Sequence, residues 1–92
     1  MSDETGMLRA ECYLGQKDFE IAAILLRRLV SVNPASARCP EMLLGLIKAY
    51  RGLKQNEKVD EVYARMKKEH PYAAETALAA LLLTNNSVKN RD

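Results

Sequence analysis

Residues 13–34 read YLGQKDFEIAAILLRRLVSVNP, and residues 50–71 read YRGLKQNEKVDEVYARMKKEHP. Each stretch opens on a tyrosine and closes on a proline, and the second follows the first at a distance of 37 positions. Laid over one another, they pair Tyr13 with Tyr50, Phe19 with Asn56, Ala22 with Val59, Leu26 with Tyr63 and Leu29 with Met66. Within each, apolar residues recur at three and four positions rather than two, which is the period of one helix face. A single helical hairpin cannot bury such a face alone, so the duplication predicts hairpins that lean on one another. The chain is expected to be all-α.

Working outward, a first helix is predicted over about 3–14, capped by Ser2 or Asp3 and closed by Gly15, which tolerates the left-handed conformation that ends a helix. The second follows Asp18 and turns Phe19, Ala22, Ala23, Leu26, Leu29 and Val30 inward before Asn33-Pro34. The third opens at Pro40, whose missing amide proton costs nothing in a first turn, and presents Leu43, Leu46, Ile47 and Tyr50 before Gly52. The fourth follows Asn56, with Val59, Val62, Tyr63 and Met66 inward, and stops at His70-Pro71. A fifth, rich in alanine and leucine, covers about 72–85 and leaves a polar tail over 86–92. One domain spans 1–92, with repeat 1 at about 3–34 and repeat 2 at about 40–71.

The balance of 14 basic against 12 acidic side chains is mixed along the chain and gives no footprint for nucleic acid or an anionic membrane. Four tyrosines and one phenylalanine, scattered singly, offer no stacking platform for bases. Met1 to Gly6 is not a basic-then-apolar leader, and no apolar run reaches the roughly 20 residues of a membrane span, so a cytoplasmic location is expected. Cys12 and Cys39 are too few for a disulfide framework and are not spaced for a metal. Both read as structural thiols, although Cys39, next to Pro40, stands at a helix start where the dipole favours thiolate. His70 is the one histidine, and no glycine-rich phosphate loop is present. No catalytic residue, cofactor or metal ligand is assigned.

The stretch from Ala10 through Cys12, Tyr13, Asp18, Phe19, Ala22, Leu26 and Leu29 to Pro34 resembles a tetratricopeptide repeat. A second unit is similar, from Leu43 through Leu46, Tyr50, Leu53, Val59, Tyr63 and Met66 to Pro71. Its period exceeds the usual length of about 34 residues, and the extra residues fit a loop around Ala37 to Cys39. The pattern departs at Gly6, where a bulky residue is usual, at Lys54, where a glycine is usual, and at Asn56, where an aromatic is usual. The longer period, with Ser36 and Pro40 in the linker, is also similar to repeats of bacterial envelope-assembly proteins. The resemblance implies two hairpins plus a fifth helix in a right-handed superhelical stack.

It also implies a concave inner face, lined by the first helix of each pair, on which family members bind peptides or helices. Carried over, that face holds Glu4, Met7, Glu11 and Leu14, then Glu41, Leu44, Lys48 and Arg51, then Glu75, Leu78 and Leu82. Met7, Glu11, Leu14, Leu44, Lys48, Arg51, Leu78 and Leu82 are the partner-binding candidates, with Lys48 and Arg51 placed to meet an acidic ligand. The clamp by which some members grip chaperone C-termini is absent, because Met7, Glu11, Gly45, Glu75 and Ala79 stand in its place. The fifth helix is apolar on nearly every side, which predicts burial on nearly every side. The expected function is a non-catalytic adaptor or small chaperone for a protein or peptide partner, with a homodimer possible. The alternative is a piece of a larger scaffold or bacterial envelope or secretion assembly, stacking its apolar end on further repeats or a second copy.

Overall fold

A computed structural model describes the chain over residues 3–91, and its side chains over 4–84. The described residues form five helices: α1 (Asp3–Gly15), α2 (Phe19–Val32), α3 (Cys39–Gly52), α4 (Asn56–Glu69) and α5 (Ala74–Arg91). No strand occurs among them. The central helix is α3, which packs against all four others, while α1 also meets α2 and α5 also meets α4. The backbones of α2 and α4 both rest on α3 and do not approach one another. Of the residues expected inward, Ala22, Ala23, Leu26, Leu29 and Val30 of α2, Leu43, Leu46, Ile47 and Tyr50 of α3, and Val59 and Met66 of α4 are buried, while Phe19, Val62 and Tyr63 are partly buried against them. Among the described residues, no helix is long and apolar enough to cross a membrane.

The connections α1–α2 and α3–α4 are closed by the same hydrogen bonds. After α1, the Lys17 amide donates to the Leu14 carbonyl at 3.1 Å and the Asp18 amide to the Tyr13 carbonyl at 2.9 Å. After α3, the Lys54 amide donates to the Arg51 carbonyl at 3.0 Å and the Gln55 amide to the Tyr50 carbonyl at 2.9 Å. Both are helix ends of the Schellman kind, which require one left-handed residue. That residue is a lysine each time, Lys17 at φ 66° and Lys54 at φ 61°. Gly15, expected in this role, is instead the last residue of α1, because the helix runs on before it turns. Gly52 serves packing: a Cβ there would lie 2.3 Å from the Phe19 ring.

Other ends differ from expectation in instructive ways. Asp18 precedes α2, but its side chain accepts no capping hydrogen bond, since its backbone at ψ 68° is not extended as a cap requires. Ser2, the alternative first cap, lies outside the described residues, as does Asp92 of the expected tail. The helix α5 continues past Asn85 to Arg91. No glycine or proline follows to stop it, and asparagine in a helix costs at most about 0.7 kcal/mol against alanine. Thr76, which reads as a polar break in that helix, is buried, and its hydroxyl donates to the His70 carbonyl at 2.6 Å. The bond ties the first turn of α5 to the end of α4.

Cys39 does not behave as a helix-start thiolate. It is 1% exposed, and burial pushes its thiol above the ordinary value, with Arg65 drawing it down and Glu69 pushing it further up. Desolvation outweighs the dipole here because the charged form would be sealed from water. Cys12 is exposed, and both thiols are free.

Candidate functional site: the groove between alternate helices

Three helices that are not consecutive in sequence, α1, α3 and α5, line one groove of about 170 Å³. α3 lies between α1 and α5 and packs on both, so residues far apart in the chain share a surface. Met7 and Leu44, at 5% and 8% exposure, form the floor with Ala10 and Leu26, and half-buried Leu14 and half-exposed Leu78 form the walls. Leu26 arrives from α2 because Gly45 leaves room: a Cβ on Gly45 would stand 2.9 Å from a Leu26 methyl. The volume falls below the roughly 300–1,000 Å³ of small-molecule pockets.

The rim is charged and mainly negative. Glu11, Glu41 and Glu75 line it together with one cation, Lys48. Glu41 reaches Arg38 only at 3.7 Å, while Glu11 and Glu75 have no ion pair among the described residues. A half-enclosed apolar floor raises the strength of such charges relative to open water.

Six of the eight candidates therefore meet here: Met7, Glu11, Leu14, Leu44, Lys48 and Leu78. Arg51 and Leu82 do not line the groove. Leu82 is half-buried and packs on the core. Of the two bases expected to meet an acidic ligand, Lys48 lines the groove beside three glutamates and Arg51 does not line it. Among the described residues, no group of three or more histidine, cysteine or acidic side chains is placed to hold a metal.

No family model, no curated protein and no solved structure matches this chain. The surfaces themselves carry the functional reading. A larger hollow, about 770 Å³, lies where Leu46 and Val30 meet, over the gap between α2 and α4, with Arg27, Arg28 and Arg65 around it. Arg28 and Arg65 stand at the same 37-residue offset as Tyr13 and Tyr50, a correspondence legible in the sequence but assigned no role there. Arg65 is held by Glu69 at 3.0 Å.

Proposed function

We propose that this chain is a non-catalytic adaptor domain that holds a segment of a partner protein in the α1–α3–α5 groove. The observation that carries the reading is the groove itself, an apolar floor ringed by carboxylates and assembled from three non-consecutive helices. Its most probing element is Leu78, half in water at the mouth. The occupant is an apolar segment with a basic residue beside its anchor, in the manner of helix-in-groove recognition.

The finer fold belongs to the same proposal: two hairpins of the tetratricopeptide type, α1–α2 and α3–α4, with α5 beginning a third, stacked as a right-handed superhelix. Supporting it are the hydrogen bonds repeated between the two connections and the packing of α3 on both α1 and α5. Lys54 fits as well, for it is left-handed where that family carries glycine. Gly6, where the family has a bulky residue, is explained by Leu29, whose methyl would lie 2.4 Å from a Cβ there.

Selection from a random displayed-peptide library tests the function. The chain is expected to enrich apolar, basic sequences, Leu78→Glu to abolish the enrichment, and Glu11→Lys with Glu75→Lys to turn it towards acidic sequences. No enrichment over an unrelated helical domain would sink the reading. A second reading, as a subunit of a larger scaffold or envelope assembly, draws on Leu81 and Leu78, which are exposed on the last helix.

A further inference from the structure

The backbones of α2 and α4 rest on α3 without approaching one another, and the hollow of about 770 Å³ occupies the space between them. Its floor is Leu46 and Val30, both buried. From α2 come Ile24, Arg27, Arg28 and Ser31, whose spacings of three and four set them along one stripe. From α4 comes Arg65, and Val32 and Pro34 add apolar surface at the end of α2 and just beyond it. The lining belongs to α2, α3, α4 and the α2–α3 connection, so its make-up does not depend on what adjoins α1 or α5.

Charge that is mixed along the sequence is thereby sorted in space. Three arginines line this hollow and, among the described residues, no acidic side chain does, whereas three glutamates and one lysine line the α1–α3–α5 groove. Within α2 no carboxylate stands three or four positions from Arg27 or Arg28, the distances at which a helix neutralises its own cations. Arg65 has Glu69, but their side chains are 42% and 46% exposed, and so exposed a pair holds an arginine only weakly. The apolar floor strengthens the field of the guanidinium groups relative to open water, and their planar forks match carboxylates. From Ile24 to Ser31 the stripe runs about 10 Å, the length of about three residues of extended chain. Cations spread over that length, with Ile24, Val32 and Leu46 among them, suit several carboxylates on a partly apolar chain rather than one phosphate. No aromatic side chain lines the hollow among the described residues, so nucleobases would find nothing to stack on. We propose that the hollow binds an acidic segment of a partner protein, its carboxylates on Arg27, Arg28 and Arg65 and an apolar side chain on Leu46. The site is separate from the α1–α3–α5 groove and needs no ligand there.

Fluorescence anisotropy of a short dye-labelled peptide of glutamate and leucine tests it, beside the same peptide with glutamine for glutamate and with circular dichroism to establish that each variant is folded. The glutamate peptide is expected to bind, more weakly as salt rises, and the glutamine peptide is not. Arg28→Gln and Arg65→Gln should each weaken binding by roughly threefold, and Arg28→Glu with Arg65→Glu should abolish it. Glu69→Gln should tighten it by releasing Arg65. Arg9→Glu with Lys67→Glu makes the same change of net charge at exposed positions outside the hollow and should leave most of the binding. Equal losses from the two charge-reversed pairs would mean attraction to net charge alone and overturn the inference, as would no binding of the glutamate peptide or equal binding of the glutamine one. Displacement by inorganic phosphate at matched ionic strength would make the hollow a phosphate site and overturn it too. Leu78→Glu reads the groove separately, because Leu78 lines no part of the hollow. It should leave the glutamate peptide bound, and loss of that peptide would place it in the groove and sink the proposal.

Discussion

The helices α3 and α5 are made of similar material and come to rest in different surroundings. α3 buries Cys39, Met42, Leu43, Leu44, Gly45, Leu46, Ile47, Ala49 and Tyr50 among four neighbouring helices. α5 has two neighbours, α3 and α4, and leaves Leu78 and Leu81 in water while Ala79 and Thr76 are enclosed. How far apolar residues wrap around a helix indicates how many neighbours its sequence is suited to. On that measure α3 is enclosed, while α5, over its described side chains, leaves part of its apolar face in water.

The sharpest way to break the comparison is to truncate one leucine on each helix. Leu43→Ala, at a site 1% exposed, is expected to cost about 3 kcal/mol in urea unfolding, a large share of the stability of so small a domain. Leu81→Ala, at a site 59% exposed, should change stability by less than about 0.5 kcal/mol. Equal losses would mean that α5 is as deeply packed as α3. A smaller effect separates the glycines. Gly6→Ala forces Leu29 aside and is expected to cost about 1–3 kcal/mol, whereas Gly15, with nothing within 4 Å of its Cβ position, should accept alanine without loss.

Smaller still is the gain expected at the turn. Relief of about 1–2 kcal/mol from a left-handed lysine exceeds the roughly 0.5–1 kcal/mol that glycine adds through its unfolded freedom. Lys54→Gly should therefore raise the urea midpoint slightly, and a lower midpoint would mean that the Lys54 side chain contributes contacts of its own. The least effect concerns pH. With the Cys39 thiol raised above its ordinary 9.0, folded and unfolded chains both hold the proton below that value and stability is whole. As pH rises past it, the unfolded thiol ionises first and stability falls. The difference in stability between the wild type and Cys39→Ala should stay constant below that value and change only in the alkaline range.

The helices were legible because their punctuation is local. Asn33-Pro34, His70-Pro71 and Pro40 act through their own backbone, and the inward faces of α2 and α3 follow from spacing alone. The groove was legible in part. Met7, Glu11, Leu14, Leu44, Lys48 and Leu78 lie on the helix stripes assigned to it, but Arg51 and Leu82 share those stripes and fall outside the lining. A stripe gives a direction around one helix, and only the neighbouring helix decides how much of it remains open. The exposed Ile21, Ile24 and Val32 went unread for the same reason, since an apolar residue on α2 gives no local sign of which side is covered.

The sequence by itself determined five helices and their order, because period, proline and helix propensity are properties of neighbouring residues. The tertiary structure decided what glycines and lysines do in this molecule. Gly6, Gly45 and Gly52 mark close approaches to Leu29, Leu26 and Phe19, while Lys17 and Lys54 take the left-handed turns that glycine would have signalled. It also decided which carboxylates ring the groove and which apolar faces stay uncovered. Those depend on the distance between helices, and no window along one helix contains that distance.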